Sequence, residues 1–137
     1  MNAKRQSFAV VLLAISVALA SCSASPSPSP SIVRPSSPAV VTILQPTAGQ
    51  TVSGTTVHVV LSLTGAKVVS QTSTNIRPDE GHVHLFVDNV LKSMNYGLEQ
   101  DLVLSPGTYV LSAEFVAADH APFNPRVVSA QTIFTVE

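Results

Sequence analysis

The side chains in this chain that could do chemistry are few, and most are histidines. Three of the four fall in its C-terminal half. His82 and His84 stand two apart in Gly81-His82-Val83-His84-Leu85-Phe86-Val87-Asp88, and His120 follows in Asp119-His120-Ala121-Pro122-Phe123-Asn124-Pro125. On a strand, residues two apart point to the same side and rise about 6–7 Å, so His82 and His84 can reach one ion. Three imidazoles with a carboxylate or water suit zinc or copper(II). His82, His84 and His120 are therefore candidate metal ligands. Glu114, outward-facing on the strand that leads to His120, is a further, weaker one. The plainer alternative is a set of surface histidines bonded to one another, to Asp119 or to loop backbone. His58 alternates outward on a different strand and reads as solvated. Met94 is the only methionine besides the initiator, too few for a soft, Met-rich copper site.

The other motifs of catalysis are missing. The chain has no serine elbow, no metalloprotease helix motif and no phosphate-binding glycine loop. Asp79 and Glu80, beside Arg77-Pro78, read as a solvated turn, so no enzyme is expected. A formal net charge of -1 offers no basic face for nucleic acid. Trp is absent, leaving Phe86 and Tyr96 as the only candidate platforms for a sugar. A protein or glycan partner stays open, and a monomer is expected.

The elements that must position these histidines are strands. From Ala39 onward, short alternating runs are separated by turn residues, and no segment sustains a helical period. Val40 to Leu44 is a first strand, followed by a turn-rich link from Pro46 to Gly54. In Val57 to Thr64, Val57, Val59, Leu61 and Leu63 share one face. In Val83 to Asp88, Val83, Leu85 and Val87 face a core, while His82, His84, Phe86 and Asp88 face outward. A strand from Asp101 to Leu104 follows a turn near Asn95-Tyr96-Gly97. Pro106-Gly107 leads into Thr108 to Ala117, with Tyr109, Leu111, Ala113, Phe115 and Ala117 on one face. A last strand, Val127 to Val136, would bury Val128, Ala130, Phe134 and Val136. About seven strands over residues 39–137 make an all-β, antiparallel β-sandwich.

Ahead of this domain, Lys4 and Arg5 form a basic start, and Phe8 to Ala20 is an uncharged apolar run. The run is shorter than the roughly 20 residues of a membrane span and fits the apolar part of a signal peptide. It ends in Leu19-Ala20-Ser21-Cys22, which resembles the lipobox of bacterial lipoproteins at all four positions. The resemblance implies diacylglyceryl transfer to Cys22, the only cysteine of the chain, and cleavage before it. Residues 1–21 are then a lipoprotein signal peptide. Residues 22–38 are a lipidated, Ser/Pro-rich disordered tether of extended polyproline type. The chain would sit outside the cytoplasmic membrane, attached to the cell membrane or the outer membrane through the lipid on Cys22. Ser23 after the cysteine permits outer-membrane sorting. An ordinary secretory peptide cut nearby would instead leave Cys22 a free thiol.

Pro46-Thr47-Ala48-Gly49-Gln50-Thr51-Val52-Ser53-Gly54 resembles the entry of bacterial immunoglobulin-like modules. Leu104-Ser105-Pro106-Gly107-Thr108-Tyr109 resembles the E–F corner of immunoglobulin and fibronectin III domains. That makes the fold immunoglobulin-like or fibronectin III-like, with Tyr109 as a tyrosine corner bonded to upstream backbone. The segment from about Gly65 onward resembles a family of small secreted bacterial domains of unknown function with a Gly-His-x-His strand and a His-x-Pro loop. The resemblance implies a shared histidine cluster and supplies no activity. In an immunoglobulin-type sheet the strand ending near Ala117 runs antiparallel beside the His82 strand, which brings His120 back to His82 and His84. The function expected is a membrane-anchored, extracytoplasmic, non-catalytic binding module that captures a transition metal. A structural or adhesive envelope module is the alternative.

Overall fold

Alternating Val- and Thr-rich runs give each sheet one apolar face, and two sheets laid face to face remove both from water. The computed structural model describes residues 33–137, and these form ten strands with no helix among them. The expected signal peptide, the expected lipid site Cys22 and the expected tether up to residue 32 lie outside the described residues.

The smaller sheet contains β1 (Val40–Gln45), β3 (Thr56–Thr64) and β7 (Glu99–Val103), antiparallel with β3 in the centre. The larger sheet is built on β5 (Glu80–Val87) and β8 (Gly107–Ala117), which pair antiparallel. Beyond β8 lie β10 (Thr132–Val136), along its first half, and β9 (Pro122–Val128), along its second. β2 (Thr51–Val52) runs parallel to β10. On the other side of β5 lie β4 (Lys67–Val68), at its start, and β6 (Val90–Ser93), at its end. The strands beyond the seven expected are therefore short edge pieces. One of them, β2, forms inside the Pro46–Gly54 link.

The core lies between the sheets. Val57, Val59 and Leu61 meet Val83, Leu85, Leu111, Phe115 and Phe134, all buried on the faces their alternation assigns. The fibronectin III-like corner is present: the Tyr109 hydroxyl donates to Ser105 O at 2.9 Å, with the ring half-buried. The β5–β6 hairpin closes through Asp88 and Asn89, both at positive φ (51° and 63°), the requirement of a two-residue I′ turn. Asp88 also ties this hairpin to β8: its carboxylate accepts from the Val110 N–H at 2.9 Å.

One expected strand is wrong. Val127 to Val136 divides into β9 and β10, and Val128 (51% exposed) and Ala130 face solvent. Ser129 breaks the run by turning inward. Its N–H donates to Ala113 O at 2.8 Å, and its Oγ accepts from Ala113 N at 3.0 Å. A side-chain oxygen thus replaces one ladder acceptor, and the alternation restarts in a new phase, with Phe134 and Val136 buried as expected.

Candidate histidine site

The register of β5 on β8 sets His82 opposite Val116 and His84 opposite Glu114. The close approach needs Gly81. A Cβ there would collide with the Val116 carbonyl oxygen and lie 3.0 Å from Phe115 Cζ. The glycine of the Gly-His-x-His run thus serves the backbone.

At the end of β8 the chain doubles back. The Ala117 N–H donates to Ala121 O at 3.0 Å and the His120 N–H to Ala117 O at 2.9 Å, with His120 at φ 64°. Such a conformation is uncommon outside glycine, though histidine tolerates it better than most. It throws the His120 imidazole over the outer face of β5.

There the three candidate imidazoles meet. The His120 ring stacks on His82 with centroids 4.2 Å apart, and lies 5.4 Å from His84 and nearly parallel to it, at 16°. His84 Nε2 is 3.1 Å from His120 Nδ1, and His120 Nε2 is 3.2 Å from Thr72 Oγ1. Tyr96 closes on His82 edge-on at 4.8 Å. His82 and His84 do point outward from the sandwich, yet they are 0% and 6% exposed because these loops cover them.

Burial disfavours the charged ring, so both imidazoles titrate below their ordinary range. The positive charge that His120 carries when protonated pushes both further the same way. Backbone at Gln71 and Val69 partly offsets this for His82, and the Glu114 carboxylate does so for His84. At neutral pH the two are neutral, the form with a lone pair for a metal. Both His82 nitrogens are buried and make no hydrogen bond of ordinary geometry.

Glu114 stands beside His84 but is not free to ligate. Arg126 grips both its oxygens, Nε at 2.7 Å and Nη2 at 2.6 Å. His58 lies in the other sheet, half-exposed, with Nδ1 2.7 Å from Asp101 Oδ1, a surface residue as its position implied. Among the described residues no three His, Cys, Asp or Glu side chains converge in a metal-holding arrangement. The converging pair is His84 and His120. Sequence reasoning missed Thr72, Arg126 and Arg34, which act through contacts 12 to 88 positions away in the chain and belong to no local pattern.

No family model matches this sequence, and no curated protein matches it either. Among solved structures, the fibronectin(III)-like modules of CbhA from Clostridium thermocellum are similar, with 22% identity and a TM-score of 0.50. The match covers 72% of this chain and 46% of that one, so this chain spans under half of that structure's length. The likeness shows the fold alone: a fibronectin III-like sandwich.

Proposed function

We propose that this chain is a lipid-anchored, non-catalytic module of the cell envelope that binds a zinc or copper(II) ion at the His84–His120 pair, with His82 as third donor. One observation carries the metal reading: His84 Nε2 and His120 Nδ1 face each other 3.1 Å apart. Two nitrogens bound to one tetrahedral zinc lie about 3.3 Å apart, from zinc–nitrogen bonds of about 2.0–2.1 Å. Only one of the two can carry the proton between them; an ion bound to both nitrogens would take that place, and the displaced proton would move to the other nitrogen of the same ring. His82 supports the reading because its ring is buried in contact with His120 and its nitrogens make no hydrogen bond of ordinary geometry. A turn of its ring is needed before it can ligate. Metal analysis of the chain made without a metal-binding tag tests this. About one ion per chain is expected, absent from His84→Ala; a metal-free native chain that stays empty after loading and dialysis counts against it. The anchor is tested separately by fatty-acid labelling, which Cys22→Ala should abolish. An equally labelled mutant would end the anchor proposal.

A second function, holding a glycan or protein, has its own support. A cleft of about 390 Å³ on the larger sheet is lined by Phe86, Val128, Ser112, Gln131 and the Glu114–Arg126 pair, one aromatic ring among mostly polar side chains. Binding of envelope polysaccharide lost in Phe86→Ala would favour it.

A further inference from the structure

We propose that Arg34, at the end of the Ser/Pro segment, is the positioning residue of the histidine site. The segment's last residues form a strap that fixes the His120 turn over His84. This inference rests on the metal reading above and names what holds the His120 ligand in place.

Residues 22–38 read as spacer in the sequence, yet Arg34 spends its whole guanidinium on the turn. Nη1 donates to Asp119 Oδ2 at 2.6 Å and Nη2 to Asp119 Oδ1 at 2.9 Å. Nη2 also donates to Ala121 O at 2.7 Å, and Nε to Pro122 O at 2.9 Å. These acceptors flank His120 on both sides in the chain. Asp119 in turn accepts from the Ala121 N–H at 3.1 Å, and the next strap residue, Pro35, accepts from the Asn124 N–H at 3.0 Å. The ion pair is mostly shielded from water, with side chains 18% and 25% exposed.

The turn needs an outside hold. Left-handed φ is uncommon outside glycine, and His120 adopts it where two short backbone bonds close the loop. A fork that binds a carboxylate through two nitrogens and two carbonyls besides is a task for arginine. Lysine carries the charge without the planar geometry. Released from Arg34, the turn relaxes toward ordinary φ and carries His120 Nδ1 away from His84 Nε2.

The test uses the full chain, with zinc alone and copper(II) alone as probes. Loss of a group that orients a metal ligand weakens affinity about 10- to 100-fold. Arg34→Ala is expected to weaken binding about tenfold at least, and Arg34→Lys to restore part of it. Asp119→Asn should match Arg34→Ala and add little on top of it. A second readout needs no metal. The imidazole NMR signals of His84 and His120 in the metal-free chain should shift in Arg34→Ala. They should stay put in Tyr109→Phe, which loses a bond at the opposite end of β8. If the native chain binds neither ion, the metal proposal fails, and the ring signals still decide the strap. Unchanged ring signals in Arg34→Ala overturn it, as does unchanged affinity in a chain that binds metal. Should Arg34→Ala not fold, Arg34→Lys is read the same way, and native-like rings and affinity in it overturn the geometric role of the fork.

Discussion

Glu114 is 2% exposed and shares the outer sheet face with two buried histidines, a costly place for a carboxylate. Arg126 makes it tolerable, and because the Arg126 side chain is 61% exposed against 3% for Glu114, the carboxylate is the more desolvated charge of the pair. The two partners should therefore respond unequally. Arg126→Ala leaves a buried, unpaired charge and is expected to cost about 2 kcal/mol, below the 3–5 of a wholly buried pair. Glu114→Gln removes that charge and should cost about 1 kcal/mol, roughly one lost hydrogen bond. Urea midpoints of both variants check the order; a larger loss in Glu114→Gln would show that the carboxylate, not its desolvation, matters. Tyr109→Phe should cost about 1 kcal/mol through the lost bond to Ser105, and a neutral result would leave that bond without weight. Tyr109 was readable from the Pro106-Gly107-Thr108-Tyr109 run because its partner lies four residues away. Arg34 was not, because its partners lie 85 to 88 residues on.

The β5–β8 pair is the element that makes the site, since it supplies two of the histidines and points the third. Its tightest point is Gly81 against the Val116 carbonyl. Gly81→Ala must separate the strands just where His82 begins, so a loss of about 3 kcal/mol is expected, in the range of severe core overpacking. Its urea midpoint and the His82 ring signals should move together; a stable variant with native rings would remove the close-approach argument. Alternation showed this pair plainly, because a period of two survives wherever one face is buried. It could not show that loops cover the other face, so His82 and His84 were expected exposed and are buried. Nor could it place the break at Ser129, where a serine hydroxyl stands in for a strand acceptor. A serine among valines and alanines looks the same on either face.

At the scale of the whole molecule, the buried histidines link stability to pH. His82 and His84 titrate below the ordinary 6.5 when folded. As pH falls through about 6.5, the unfolded chain takes up more protons than the folded one, and stability drops. Stability contributed by these rings is thus full above about pH 7 and lost progressively on acidification. The groups facing them are His120, Glu114, Arg126 and Tyr96. Asp119, held below its ordinary range by Arg34, adds a separate loss only at more acid pH. Urea midpoints of the metal-free chain should fall between pH 7 and 5, and fall less in His82→Gln; equal slopes would assign the effect to other groups. Metal affinity should weaken over the same interval, since protons and the ion compete for the same lone pairs. The claim on which the functional account depends is that the histidines grouped by this sandwich hold an ion. Calorimetric titration of the tag-free chain with zinc and with copper(II) at neutral pH measures it most directly. The expected result is one-to-one binding by at least one of the two ions, strongly reduced by His84→Ala and unaffected by His58→Ala. Binding of both ions weaker than about 100 μM, or an equal loss in His58→Ala, would contradict it.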